Sequence, residues 1–279
     1  MIVEDNKYKP SSRAEKLEAF GTLLDVLDEL RVKCPWDAKQ TNESLRPNTI
    51  EEVYELSEAL LSGDQANVSK ELGDVLLHIA FYAKIGEENQ AFDIADVCQR
   101  LTDKLIFRHP HVFGNVSVKD SHEVEQNWEQ IKLKEKGGNK MVLSGVPCGL
   151  PSLIKAYRVQ EKVANVGFDW EEKSDVWDKV YEELGELRDE VEGDSSQEQK
   201  EGEMGDFLFS LINMGRLFGI DPDTSLERTN QKFIRRFNHI EMRAKEDGKE
   251  LKQMTLAEME IYYNEAKSLE KDDNKEEDR

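Results

Sequence analysis

Two stretches of this chain set carboxylates at spacings that can hold a metal ion. Glu51-Glu52-x-x-Glu55 is followed by Glu71-x-x-Asp74, and Glu182-Glu183-x-x-Glu186 is followed by Glu203-x-x-Asp206, 131 or 132 residues further on. Residues three apart on a helix share a face, so two such helices packed together converge four acids on one point. Clustered carboxylates repel one another unless a cation sits among them, and hard cations such as Mg²⁺ take oxygen ligands. The pattern predicts a divalent-metal site built on helices and present twice. Its ligands are Glu52, Glu55, Glu71 and Asp74 in the first copy and Glu183, Glu186, Glu203 and Asp206 in the second. An isolated Glu-x-x-Asp is ordinarily a solvated helix face, but two matched pairs in each of two copies make that reading poor. His78 follows Asp74 by one turn, yet the equivalent position holds Ser210, so it reads as a partly buried histidine rather than a ligand.

Basic residues repeat as well, as Lys104-x-x-x-Arg108 and Lys232-x-x-x-Arg236. Lysine and arginine four apart share a helix face and are the side chains that bind phosphate oxygens. Carboxylates, a metal and Lys/Arg together are what a polyphosphate requires. Lys179, one turn before Glu183, and Lys200, one turn before Glu203, fit either phosphate neutralisation or a salt bridge along the helix. Trp128 and Tyr262-Tyr263 lie on amphipathic stretches, where an aromatic either fills the core or stacks on a base. Nucleophilic catalysis finds no support, because the chain has no Gly-x-Ser-x-Gly, no Cys/His arrangement and no glycine-rich phosphate loop.

The elements that must position these groups are helices, since apolar residues recur at helical spacing almost everywhere and alternating β-branched runs are scarce. In the first copy, Leu17 to Leu30 mark one helix ending near Cys34-Pro35, and Ile50 to Leu60 a second stopped near Gly63. Leu72, Val75, Leu76, Ile79 and Ala83 mark a third, with further helices over about 92–108 and 121–136. The second copy repeats the order over about 152–165, 176–192, 198–218, 222–246 and 256–271, with Met204, Phe207, Leu208, Leu211, Ile212 and Gly215 as the inner stripe of its third helix. Gly137-Gly138-Asn139, Gly145-Val146-Pro147 and Gly149-Leu150-Pro151 have the breaker density of a linker. The expected organisation is a helical domain over 1–136, a linker over 137–151, a second helical domain over 152–268 and a disordered acidic tail over 269–279.

A formal net charge of −21 argues against direct nucleic-acid binding, which uses basic surfaces. Apolar runs such as 75–83 and 207–214 fall well short of the ~20 residues needed to cross a bilayer. No secretory signal is visible in the opening residues. The three scattered cysteines, Cys34, Cys98 and Cys148, read as reduced thiols of a cytoplasmic protein.

Taken with these motifs, the chain closely resembles the MazG family of nucleoside triphosphate pyrophosphohydrolases in its tandem two-domain bacterial form. The resemblance extends to Cys34-Pro35-Trp36-Asp37-x-x-Gln40-Thr41, Arg108-His109-Pro110-His111-Val112-Phe113, Asn165-Val166-Gly167-Phe168-Asp169-Trp170 and Lys232-Phe233-Ile234-Arg235-Arg236-Phe237, and covers roughly residues 15–268. It implies an all-α fold of two tandem domains whose bundles are completed by homodimerisation. It also implies Mg²⁺-dependent hydrolysis of NTPs and dNTPs to monophosphate and pyrophosphate by metal-activated water attack on the α-phosphorus, with Mn²⁺ able to substitute. In tandem members the activity is assigned to the C-terminal domain. Carried onto this chain, the metal ligands and catalytic acids are Glu183, Glu186, Glu203 and Asp206, one of the first two assisting as base. Nucleotide contacts come from Lys179, Glu182, Lys200, Lys232, Arg235, Arg236 and Tyr263. The chain departs from the pattern at Tyr263, where a tryptophan is expected, and at Gln199, where a lysine is expected one position before Lys200. The rival readings are a non-hydrolytic nucleotide- or alarmone-binding module, a structural dimer, and a di-iron oxidase, the last disfavoured because its Glu-x-x-His pairs are missing.

Overall fold

The structure is a computed structural model that describes residues 9–120, 123–124, 131 and 141–277. Every regular element among the described residues is helical. The chain divides into two units, Met1–Ser117 and Val118–Arg279. The expected helix over 121–136, with Trp128, and Gly137-Gly138-Asn139 lie largely or wholly outside the described residues.

In the first unit, α1 spans Arg13–Lys33, α2 Asn42–Ser62, α3 Gln65–Glu88, α4 Ile94–Arg108 and the short α5 Pro110–Phe113. Ser12 and Glu15 open α1 with a reciprocal capping box, and Cys34 closes it in an extended conformation, as the proline that follows requires. Only Gly63 and Asp64 separate α2 from α3, so the two pack as a hairpin. Gly63 ends α2 in the left-handed region with φ of 74°, and the Asp64 carboxylate accepts from the Ala66 and Asn67 amides to start α3. This hairpin carries all four acids of the first copy. Its core joins Leu27 of α1 and Leu45 of α2 to Ala80, Phe81 and Ile85 of α3. Phe81 is buried, and the Arg31 guanidinium lies 5.3 Å from its ring centroid. Phe81→Ala is expected to destabilise this unit by about 3–5 kcal/mol, measured by urea unfolding followed by circular dichroism.

In the second unit, α6 spans Ser152–Ala164, α7 Val176–Glu192, α8 Gln197–Leu217, α9 Pro222–Glu246 and α10 Leu256–Glu277. Helix α8 packs against α7 and α6, and α9 against α10. Ser196 caps α8, and Gln199 answers it by accepting from the Ser196 amide at 3.1 Å. The glutamine at the expected lysine position therefore has a capping role. Ile240, Ala244 and Tyr262 form the core between α9 and α10.

The repeat is also written into the turn that follows each third helix. The Ala91 amide returns to the Gly86 carbonyl at 2.9 Å, and the Ile220 amide to the Gly215 carbonyl at 2.7 Å. The turn passes through Gln90 at φ 55° in one unit and Gly219 at φ 70° in the other. A Cβ on Gly86 would come within 2.8 Å of the Phe92 carbonyl, and one on Gly215 within 3.0 Å of that of Ile220, so glycine permits the close return in both.

One expectation is corrected. The stripe read as the inner face of the second unit's third helix is not all buried within its unit. Ile212 and Gly215 are buried, but Met204 and Leu208 of α8 are 46% and 43% exposed, and the matching Leu72 and Leu76 of α3 are 52% and 37% exposed. The apolar surface of these helices is wider than the partners within one unit can cover. Helix α10 continues to Glu277, into the residues expected to form the tail. Arg236 fastens Glu270 with two hydrogen bonds of 2.9 and 2.6 Å, and past that anchor each further residue adds a backbone bond without a new nucleation cost.

Candidate functional site

Helices α7 and α8 bring Glu183, Glu203 and Asp206 together, with one carboxylate oxygen from each lying within 4.8 Å of the others. In the first unit α2 and α3 gather Glu52, Glu55 and Glu71 to the same tolerance. The two trios draw on different members of one four-acid design, because Glu55 matches Glu186 and Asp74 matches Asp206. Glu186 and Asp74 are the members left out. Asp74 lies 3.9 Å from Lys70, and Glu186 is near enough to Glu203 to raise its pKa.

The electrostatics are those of sites short of positive charge. Burial pushes the Glu203 carboxyl above its ordinary value, and Glu186, Asp206, Glu183 and Glu190 add to the rise. Glu55 is raised likewise, by burial first and then by Glu71 and Glu52. Glu71 is 2% exposed; Lys70 meets its Oε1 at 2.7 Å, and its Oε2 is buried with no partner among the described residues. Oxygen-only donors, mutual repulsion and an unsatisfied buried oxygen fit a hard divalent cation. The free thiols of Cys34, Cys98 and Cys148 belong to neither cluster.

A cavity of about 590 Å³ opens beside the second cluster, with Glu183 and Asp206 in its wall and Gln160, Phe168, Trp170 and Phe209 among its other lining residues.

The MazG nucleotide pyrophosphohydrolase domain model matches this chain twice, over residues 40–113 and 172–241, and each match contains one acidic cluster. The chain belongs to the MazG family. A relative from Escherichia coli (strain K12), named nucleoside triphosphate pyrophosphohydrolase, is 39% identical over 92% of this chain and 100% of that protein. One from Thermotoga maritima, named nucleoside triphosphate pyrophosphohydrolase/pyrophosphatase MazG, is 40% identical over 89% of this chain and 95% of its own length. The crystal structure of a mazG-related protein from Thermotoga maritima aligns with 40% of this chain and 97% of that one, at 28% identity and a TM-score of 0.36.

In this tandem MazG chain Lys179, Arg235 and Arg236 are already engaged. Lys179 donates to Glu182 at 3.0 Å and bridges to Glu183 at 2.7 Å, and these bonds raise its pKa. Arg236 holds Glu270, donates to the Tyr263 hydroxyl at 3.2 Å and stacks over that ring at 5.3 Å, while Arg235 lies 3.8 Å from Glu270. Lys232, Arg235, Arg236 and Tyr263 thus sit on α9 and α10, apart from the residues lining the cavity, as does Lys200 near the start of α8. Tyr263 serves as a hydrogen-bond and stacking partner of Arg236 where the MazG pattern leads one to expect tryptophan.

Several residues at the site gave no warning in the sequence. Arg216 lines the cavity and clamps Asp169 of the Gly-Phe-Asp-Trp segment, one of the two bonds being 3.0 Å. Glu190, one turn beyond Glu186, adds a further acid near Glu203, and one of its oxygens is buried without a partner among the described residues. Neither belongs to a repeated motif; Ala59 stands where the first copy would match Glu190. Only its i+4 and i+7 spacing from Glu186 and Glu183 could have pointed to the latter.

The raised Glu203 pKa predicts how metal-free stability varies with pH. Between the ordinary carboxylate value of 4.5 and the raised folded value, the folded state holds more protons than the unfolded one, so stability falls as pH rises through that window. A bound cation reverses this by favouring the ionised form. Differential scanning fluorimetry should therefore show a larger stabilisation by MgCl₂ at about pH 7.5 than at about pH 5.

Proposed function

We propose that this chain is a nucleoside triphosphate pyrophosphohydrolase, hydrolysing NTPs and dNTPs to the monophosphate and pyrophosphate. The observation that carries the reading is the trio Glu183, Glu203 and Asp206 in the wall of a cavity, within a chain of the MazG family. Glu183, Glu186, Glu203 and Asp206 would hold Mg²⁺, with Mn²⁺ able to replace it. A divalent cation there supplies charge compensation for the phosphate oxygens and lowers the pKa of water.

The remaining roles fall to this chain's own side chains. Attack by water on the α-phosphorus breaks the bond to the β-phosphate oxygen, and Glu183 or Glu186 takes the water proton. Lys179, already between Glu182 and Glu183, is placed to exchange one carboxylate partner for a phosphate oxygen. Lys200, Lys232, Arg235 and Arg236 are retained as phosphate-neutralising residues on their chemistry. Arg236 would have to release Glu270 to act so, and Tyr263 would move with it.

Homodimerisation belongs to the same reading. Leu72, Leu76 and Ile79 on α3 form an exposed row at i, i+4 and i+7 spacing, matched by Met204 and Leu208 at i and i+4 on α8. Such rows fit burial against a second copy, which completes the bundles. The first unit keeps its acids and would bind a metal in the same manner.

Product analysis tests the function directly. Purified protein with NTPs and dNTPs is expected to release monophosphate and pyrophosphate only when Mg²⁺ or Mn²⁺ is present. Release of diphosphate and phosphate would overturn the site of attack, and saturable nucleotide binding without turnover would favour the non-hydrolytic module.

A further inference from the structure

We propose that the cavity flanked by α6 and α8 is a nucleobase pocket in which Gln160 accepts a hydrogen bond from an N–H on the edge of the base. The inference rests on the nucleotide reading above and adds to it the part of the substrate the pocket senses. Gln160 is 3% exposed and lines the cavity, yet its Oε1 is buried with no partner among the described residues. Its Nε2 donates to the Phe209 carbonyl at 2.8 Å, which fixes the orientation of the amide and leaves the oxygen as the unsatisfied end. Buried polar atoms are nearly always paired, so an orphan acceptor held in place this way calls for a donor from outside the protein, which a ligand N–H entering the cavity supplies.

A neighbouring side chain offers the complement. Asn213 lines the same cavity, and its Oδ1 is taken by Arg216 Nε at 3.1 Å and Nη2 at 2.9 Å, which leaves its amide N–H groups to donate. An acceptor from Gln160 and a donor from Asn213, set among Val159, Val163 and Phe209, suit a flat ring with apolar faces and a mixed donor–acceptor edge. Phosphate carries no N–H to offer the Gln160 oxygen. At about 590 Å³ the space falls within the usual range for small-molecule sites.

The first unit is built differently at this point. In the register that matches Glu71 to Glu203, Ser210 and Asn213 become His78 and Phe81. Both are buried; His78 bonds Thr49 at 2.9 Å, and Phe81 belongs to the core. Bulky side chains thus occupy the positions that line the cavity in the second unit, and base sensing is assigned to the second unit.

The test uses the full chain with Mg²⁺ and calorimetric titration of α,β-methylene triphosphates in matched pairs. One pair is adenosine and purine riboside, the other cytidine and its 4-deamino analogue, so that each pair differs by an amino group. At least one pair should show binding about ten- to hundredfold weaker without the amino group, and Gln160→Leu should bring that ratio close to one. Pairs that bind alike, or a ratio that survives in Gln160→Leu, would overturn the pocket; the wild-type pairs decide alone should the variant not fold. Turnover of ordinary NTPs alongside base-indifferent binding removes the pocket and leaves the enzyme reading. Amino-dependent binding without turnover does the reverse, and absence of both removes both.

Discussion

Glu203→Ala is expected to lower pyrophosphate release by about 10²–10³-fold while leaving the metal-free melting temperature unchanged or higher. Its carboxyl is pushed up by burial and by Glu186, Asp206, Glu183 and Glu190, so in the empty site it adds to repulsion rather than relieving it. Removing it takes away one member of an overcrowded acid cluster and, on the proposed reading, a ligand for the cation. The two effects have opposite signs, which separates this role from a structural one. A structural acid would lower stability and activity together. Full turnover in a folded Glu203→Ala protein would sink the assignment, and so would a fall in metal-free melting temperature that accounts for the lost activity. Melting curves with and without MgCl₂, run beside the product assay, supply both readings; the variant should lose most of the metal-induced shift.

The parts of this architecture that were legible in the sequence are the parts that repeat. Acid pairs three residues apart stood out because they occur on two helices of each unit at matched separations, and α2 with α3, and α7 with α8, do bring acids within 4.8 Å. Helix ends were legible where punctuation was strong, as at Gly63 and before Pro35. Gln160, Asn213 and Arg216 were not, because each is a single polar residue on an amphipathic helix, indistinguishable by spacing from one that faces water. Their meaning depends on which helix covers them and on Ser210 leaving room at the cavity wall. The third-helix stripe misled for a related reason. Periodicity tells which residues share a face but not what covers it, and Leu72 and Met204 are exposed in the single copy.

The contrast between the units can be turned into an exchange, and its expected effect is as large as that of Glu203→Ala. Introducing the first unit's residues into the second, as Ser210→His with Asn213→Phe, places two bulky side chains where the cavity wall now has a hydroxyl and an amide. Asn213 also holds the Arg216 guanidinium, so the exchange loosens the clamp on Asp169 as it fills the space. Nucleotide turnover should fall by about a hundredfold or more, the scale on which overfilled or misaligned substrate sites lose rate. The acids are untouched, since Glu183, Glu203 and Asp206 lie at other positions on α7 and α8. The stabilisation by MgCl₂ should therefore persist, the reverse of what Glu203→Ala gives. Ser210→His alone, which keeps Asn213 and the Arg216 contact, should produce a smaller loss in the same direction. Unchanged turnover in the folded double variant would mean that substrate reaches the acids by another route, and that the difference in bulk between His78/Phe81 and Ser210/Asn213 does not separate the two units in function.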